Sequence, residues 1–210
     1  MGVQLIFVVE TNKKCNSDWI YIKETIEHFY LYDRIKVKLS VVYMDGRGNY
    51  SSNKKEREIK GYISQYRATS KTNKSKVIYC FDCDEYINNP EDLKFLEKAK
   101  KYCDDHEAEF VWFCKDVEQV YLGHSVNDSQ KKKEAAGFKI RKEINNINTR
   151  KLSEKNYKTG TSNIINVLDN IPQLTKKINL YIGSTKHISH FPHAYTVKKR
   201  LRGLGSEGLY

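Results

Sequence analysis

The sequence lacks any long apolar segment. Its unbroken apolar runs, such as residues 5–9, are far shorter than the ~20 residues that a membrane-spanning helix needs. The first residues contain neither a basic stretch nor a small-residue cleavage site, so we expect no secretion signal. These absences predict a cytoplasmic protein with no membrane partner.

The sequence also has few cysteines and histidines from which a disulfide or zinc site could be built. Five cysteines are an odd number, and without an export signal they predict reduced thiols. Cys80 and Cys83 have CxxC spacing, but the first lies within an apolar run, which favours a core role over zinc binding. His187, His190 and His193 have no acidic neighbour to orient their rings, and we assign them no role.

Positive charge is concentrated in one part of the chain. The 210 residues carry a net charge of +11, with 39% hydrophobic and 30% charged residues, which is typical of a globular protein. Residues 1–130 contain 20 basic and 21 acidic residues, whereas residues 131–210 contain 17 and 5. This asymmetry favours a folded unit joined to a region that contacts a polyanion such as nucleic acid, although a solvated lysine-rich surface would have the same composition.

The hydrophobic pattern predicts an α/β fold with a mainly parallel four-stranded sheet flanked by helices. Strands are expected over residues 3–9, 35–44, 77–81 and 110–114. Helices are expected between them, over residues 17–30, 53–67 and 90–104. Strands that alternate with helices in this way are typical of βαβ units.

We predict three regions along the chain. Residues 1–125 form the α/β domain, residues 126–175 a basic, mostly helical or irregular extension, and residues 176–210 a basic, poorly ordered tail. Within the last two regions we expect a helix over residues 161–171 and a short strand over residues 178–182.

Acidic residues follow all four predicted strands. They are Glu10, Asp45, the pair Asp82 and Asp84, and Asp116 with Glu118. Ligands of an open α/β sheet bind outside the carboxyl ends of its strands. Residues two apart on an extended backbone point the same way, so the carboxylates of Asp82 and Asp84 would repel each other unless a cation lay between them. Oxygen ligands of this kind suit Mg²⁺. Asp45, which precedes Gly46, is interpreted as a turn residue.

These motifs resemble those of the Toprim domain, which topoisomerases, primases and small nucleases of the overcoming-lysogenization-defect and RloB-like types share. The resemblance covers residues 3–120 and rests on a first strand that ends in FVVE, a third that ends in YCFDCD, and an acidic group after the fourth. Toprim sequences usually have Gly after the glutamate, where this chain has Thr11.

The resemblance implies a nuclease that uses Mg²⁺ or Mn²⁺ to hydrolyse phosphodiester bonds in DNA or RNA, in phage defence or in a mobile element. Glu10, Asp82 and Asp84 would bind metal, Glu10 alternatively serving as general base, and Glu118 and Asp116 would support a second ion. An ATPase partner and a homodimer are further expectations. Lys115, Lys155 and Lys158 are candidates for a cation near the substrate.

Two other functions fit the same residues. A Toprim-like scaffold could bind nucleic acid or a partner without cleaving it, since a fold does not determine a function. A nucleotide-sugar glycosyltransferase also uses a DxD motif to hold Mn²⁺ and a diphosphate, but no acceptor-binding segment is recognisable here.

Overall fold

The computed structural model describes residues 1–177, which belong to one compact unit. Its strands are β1 (Val3–Val9), β2 (Tyr30–Leu31), β3 (Val37–Tyr43), β4 (Lys74–Asp82), β5 (Glu109–Cys114), β6 (Thr161–Ser162) and β7 (Thr175–Lys176). Its α-helices are α1 (Ser17–Phe29), α2 (Asn53–Thr69), α3 (Pro90–Asp105), α4 (Val117–Leu122), α5 (Asp128–Ile140) and α6 (Ile164–Asp169). Short 3₁₀ helices cover Arg47–Asn49, Glu143–Asn146 and Thr149–Leu152.

A mainly parallel sheet forms the centre of the described chain, in the order β3-β1-β4-β5-β6. The first four of these strands are mutually parallel, which confirms the α/β prediction. The sheet has a fifth strand that was not predicted, because β6 is only two residues long and pairs antiparallel with the end of β5. A strand so short has no hydrophobic period to recognise. Strands β2 and β7 pair in a separate two-stranded sheet.

Both faces of the sheet are buried, and β1 is apolar without interruption over residues 5–9. Leu5, Phe7 and Val9 belong to one hydrophobic cluster, while Ile6 and Val8 belong to the other. The first cluster includes residues of α1, α4, α5 and α6, and the second includes residues of α2 and α3. A central parallel strand covered by helices on both faces needs apolar side chains at every position.

The helix boundaries follow local capping signals in two cases and depart from them in a third. Ser52 caps α2 by accepting a hydrogen bond from the Lys55 N–H, and Asn89 caps α3 just before Pro90. Ser17 begins α1, but Asn16, which precedes it with a left-handed φ of 60°, makes no capping hydrogen bond. Its side chain accepts a hydrogen bond from the Tyr43 hydroxyl instead.

The hydrophobic core continues across the predicted boundary at residue 125. Ala135 and Phe138 of α5 are buried in the same cluster as β1, and so are Leu152, Ile165 and Leu168. Phe138 packs against Tyr21 of α1, with 4.9 Å between the ring centroids. Residues 128–177 therefore contribute core packing to the α/β unit as well as positive charge.

Two local predictions beyond residue 125 have different outcomes. The helix expected over residues 161–171 is wrong at its start, where Thr161 and Ser162 form β6 and α6 begins only at Ile164. The strand expected over residues 178–182, His187, His190 and His193, and all but the first two residues of the predicted tail lie outside the described residues. Among residues 1–177, no helix combines the length and the apolar character needed to cross a membrane.

Candidate functional site

The carboxyl ends of the parallel strands bring the predicted acids to one edge of the sheet. Glu10 and Asp82, which follow and end neighbouring strands β1 and β4, are in direct contact. The Asp82 backbone N–H donates a hydrogen bond of 3.0 Å to Oε1 of Glu10. This contact connects two acids that are 72 residues apart in the sequence.

Asp82 and Asp84 do not point the same way, which corrects the extended-backbone argument. Strand β4 ends at Asp82, whose buried carboxylate accepts a hydrogen bond of 3.0 Å from the Val117 N–H. Asp84 lies beyond the strand with a left-handed φ of 47°. Its carboxylate forms an ion pair with Nη1 of Arg47. The alternation of side chains that holds within a strand does not apply past its end.

Asp116 and Glu118 lie at the start of α4 in different environments. Asp116 caps the helix by accepting a hydrogen bond from the Gln119 N–H at 2.6 Å, and it also accepts one from the Ser125 hydroxyl. Its contacts are therefore those of a capping residue. Glu118 is fully buried, and neither of its carboxylate oxygens has a hydrogen-bond partner among the described residues. An unpartnered buried carboxylate is costly and is typical of a functional site.

Two further charged residues that sequence reasoning missed belong to this edge. Asp18, in the first turn of α1, is buried and accepts a hydrogen bond of 3.0 Å from the Thr11 N–H. Lys131 of α5 places its Nζ 3.9 Å from a carboxylate oxygen of Glu118. A signal for Lys131 was present, because Ala135 and Phe138 follow it at spacings of four and seven, on the same helix face.

A cleft of about 400 Å³ opens at this edge. We call it the acidic cleft. The charged residues that line it are Glu10, Asp18, Asp45, Asp82, Asp128 and Lys131. Its lining also includes Thr11, whose buried hydroxyl has no hydrogen-bond partner among the described residues. Asp45, interpreted as a turn residue, has a left-handed φ of 59° before Gly46 and contributes to this lining as well.

Two of the predicted cations, Lys115 and Lys155, make their contacts away from the acidic cleft. Lys115 forms an ion pair with Glu85, and Lys155 lines a different cavity, with Trp112 and Tyr157. Burial alone would lower the pKa of Lys131, but the facing carboxylates of Glu118 and Asp82 raise it above its usual range. Lys131 is therefore a permanent positive charge in the acidic cleft.

The acids at this edge of the sheet have pKa values far from their usual range. Burial raises the pKa of Glu10 to about 8, although the Asp82 N–H opposes the shift. Burial raises the pKa of Glu118 to about 7, with Lys131 opposing. The pKa of Asp82 is also well above its usual value, because of burial and then the negative charges of Glu10 and Asp18. Each of these carboxylates would be stabilised in its charged form by a bound cation.

The donor set suits a hard divalent cation, although it is not preorganised around one. Carboxylate oxygens are the ligands that Mg²⁺ takes from proteins, and the free oxygens of Glu118 are unused donors of that kind. Within residues 1–177, however, no group of three or more histidine, cysteine or acidic side chains is arranged to hold a metal ion. Asp84 would have to leave Arg47 before it could join Glu10 and Asp82 on a shared ion.

No family model matches the chain, and comparisons with curated proteins and with solved structures likewise find no match.

Proposed function

We propose that the protein is a Mg²⁺- or Mn²⁺-dependent nuclease that hydrolyses phosphodiester bonds in DNA or RNA. The observation that carries this proposal is the cluster of mutually repelling carboxylates at the carboxyl edge of the sheet. Asp18, Asp82 and Glu118 are buried there, and Glu10, Asp18 and Asp82 line the cleft. A cluster this costly is typical of a functional site. A sheet edge with a purely structural role would not need several buried acids.

Each acid has a role in this proposal. Glu10 and Asp82, with Asp84 after a change of partner, would hold the cation, and Glu118 would support a second one. When bound, such ions supply a nucleophilic water and stabilise the charge that develops on the phosphate. Asp116 contributes by capping α4 and so fixing the position of Glu118.

Two of the chain's own side chains can act directly on the substrate. The pKa of Glu10, about 8, is close to neutral pH, where a general base is most effective. If Glu10 is not itself a ligand, it can accept a proton from the attacking water. Lys131 would offset negative charge on the phosphate in the transition state.

Substrate affinity would come from the basic surface of the later helices. Lys132, Lys133 and Lys139 of α5 are exposed, and so are Arg150 and Lys151. Contacts between such residues and phosphates are independent of sequence and weaken with salt. We therefore expect salt-sensitive binding to nucleic acid with little preference for sequence.

Cleavage assays with a charge-removing variant test the proposal. Supercoiled plasmid, single-stranded DNA and RNA are incubated with Mn²⁺ or Mg²⁺ and wild-type protein, Asp84→Asn, or the control Asp104→Asn, which lies on the exposed face of α3. We expect metal-dependent cleavage by wild type and the control, and its loss in Asp84→Asn. Equal activity in all three proteins would indicate a contaminating nuclease and would contradict the proposed metal site.

The scaffold alternative predicts a different result from the same experiment. Salt-sensitive binding without cleavage of any polymer would favour a non-catalytic nucleic-acid-binding protein or a missing ATPase partner. The glycosyltransferase alternative predicts hydrolysis or transfer of a nucleotide sugar with Mn²⁺. The homodimer, the cytoplasmic location and the setting in phage defence or a mobile element remain predictions.

A further inference from the structure

Arg47 follows Gly46, which lines the acidic cleft, and its side chain contacts the start of α3. It begins the 3₁₀ helix Arg47–Asn49 that follows β3. Its Nη1 forms an ion pair with Asp84, and its Nη2 donates a hydrogen bond of 2.6 Å to the Asp92 carboxylate. The guanidinium carbon also lies 4.7 Å from the centroid of the Phe95 ring. Three side chains therefore hold one guanidinium group.

The contact with Asp92 is an anchor. The Asp92 side chain is only 6% exposed, and its second oxygen accepts a hydrogen bond of 3.3 Å from the Glu85 N–H. A buried carboxylate of this kind depends on its partners, because removing one of them would leave a charge without compensation. The Phe95 ring adds a cation–π contact with the guanidinium. Arg47 is thereby fixed at α3 whether or not Asp84 stays in place.

The contact with Asp84 is exchangeable. The Asp84 and Arg47 side chains are 43% and 34% exposed, and an ion pair open to water is weak. Among the predicted cation ligands within residues 1–177, only Asp84 accepts a hydrogen bond from a positive side chain, since Lys131 lies 3.9 Å from Glu118. A divalent cation and the guanidinium would compete for the same carboxylate oxygens.

A displaced Arg47 would remain close to the cation with unused hydrogen-bond donors. Guanidinium has five N–H groups in a planar fork that matches phosphate geometry. Within residues 1–177, its hydrogen bonds go only to Asp84 and Asp92. Loss of the Asp84 contact would free Nη1, near enough to Glu10 for the Arg47 charge to lower the pKa of that carboxyl, while Nη2 stays on its anchor.

We propose that Arg47 is the counter-ion of Asp84 until a divalent cation displaces it, and that Arg47 then binds a non-bridging oxygen of the substrate phosphodiester. This inference rests on the proposed nuclease function and deepens it. It assigns Arg47 as a substrate-binding residue. Cation binding and phosphate binding are thereby coupled, because the cation that occupies Asp84 also frees the guanidinium.

The first test measures Mn²⁺ binding by isothermal titration calorimetry, without nucleic acid. The proteins are wild type, Arg47→Gln, Arg47→Lys, Asp84→Asn and the control Arg57→Gln, which removes an exposed arginine from α2. We expect Arg47→Gln to bind Mn²⁺ roughly three- to tenfold more tightly than wild type, because the competing charge is gone. Arg47→Lys and Arg57→Gln should stay near wild type, and Asp84→Asn should bind more weakly.

The second test measures binding of a short fluorescein-labelled single strand by fluorescence anisotropy, with and without Ca²⁺. Ca²⁺ takes the same oxygen ligands. Wild type and Arg57→Gln should gain affinity for the strand when Ca²⁺ is added, and Arg47→Gln should lose most of that gain. Arg47→Lys should also lose part of it, because lysine lacks the planar fork.

The outcomes separate this inference from the proposed function. Unchanged or weaker Mn²⁺ binding by Arg47→Gln would overturn the counter-ion role, and an undiminished Ca²⁺-dependent gain would overturn the phosphate contact. Failure of wild type to bind Mn²⁺, or equal binding by wild type and Asp84→Asn, would instead remove the metal site and the nuclease proposal with it. Circular dichroism of each variant shows whether it is folded. If Arg47→Gln does not fold, Arg47→Lys takes its place in the test, because lysine retains the anchoring charge.

Discussion

Oε1 of Glu10 accepts a hydrogen bond of 3.0 Å from the backbone N–H of Asp82. This single contact connects the residue after β1 to the last residue of β4, and it places the half-buried carboxylate of Glu10 beside the buried Asp82. Burial and then the Glu10 charge raise the pKa of Asp82, whereas the Asp82 N–H lowers the pKa of Glu10. The carboxylates of Glu10 and Asp82 therefore repel each other when both are charged, unless a cation binds between them.

Neutralising Asp82 should stabilise the cation-free protein. Asp82→Asn keeps the oxygen that accepts from the Val117 N–H and removes a charge beside Glu10 and Asp18. We expect a gain on the order of 1–3 kcal/mol in the free energy of unfolding at pH 8. Thermal melts of wild type and Asp82→Asn measure it, with Asp105→Asn on α3 as the exposed control. A lower melting temperature for Asp82→Asn in cation-free buffer would contradict the repulsion argument.

The free energy of unfolding should fall as pH rises through the range in which Glu10 and Glu118 titrate. Glu10 and Glu118 have folded-state pKa values of about 8 and about 7, both raised from 4.5. Between pH 4.5 and 8 the unfolded chain therefore binds fewer protons than the folded one, so the free energy of unfolding decreases with pH. Melting temperatures across this range, in cation-free buffer, should decline for wild type and decline less for Glu118→Gln.

Added Mg²⁺ or Mn²⁺ should reverse this decline, and more strongly at pH 8 than at pH 5. Ligand carboxylates must lose their protons before they bind a cation, so binding is favoured as pH rises. A stabilisation by cation that is the same at both pH values would indicate binding away from Glu10 and Glu118.

Lys131 should be required for cleavage in a way that its neighbour is not. Lys131→Gln removes the cation 3.9 Å from Glu118, which should raise the pKa of Glu118 further and reduce the rate roughly tenfold to a hundredfold. Lys132→Gln removes the same charge from an exposed position of the same helix, where we assign it to substrate affinity alone, and its rate at saturating substrate should match wild type. Cleavage rates at saturating substrate compare the two. Similar losses in both variants would assign Lys131 to general charge attraction.

Core packing by α5 should be necessary for the fold. The Phe138 side chain is fully buried against Tyr21 and Tyr121, so Phe138→Ala should cost about 3–5 kcal/mol in the free energy of unfolding. Ile140→Ala, at a position that is 80% exposed, should cost little. Urea unfolding measures both. A fragment ending at residue 125 should fail to fold cooperatively, and a stable fragment would restore the predicted boundary.

The parallel sheet was predictable because its signals are local. An apolar run such as residues 5–9 is typical of a central strand buried on both faces. Asn89 with Pro90 marks a helix start without reference to the rest of the chain. The placement of Glu10 and Asp82 at one edge follows from the same pattern, since parallel strands end together. Strand β6 and the packing of α5 against α1 were not predictable, because they depend on surfaces that exist only once the sheet has formed.

The sequence by itself determined an α/β core with acids at the carboxyl ends of its strands. Neighbouring residues are sufficient to show both the hydrophobic period and the end of a strand. Only the tertiary structure decided which charges face one another. Arg47 and Asp84 are 37 residues apart, and Lys131 reaches Glu118 from a separate helix. Coulombic pairing acts through space and depends on burial. No local sequence pattern therefore indicates that Asp84 pairs with an arginine. Nor does any local pattern indicate that Glu118 has no partner within hydrogen-bond distance among the described residues.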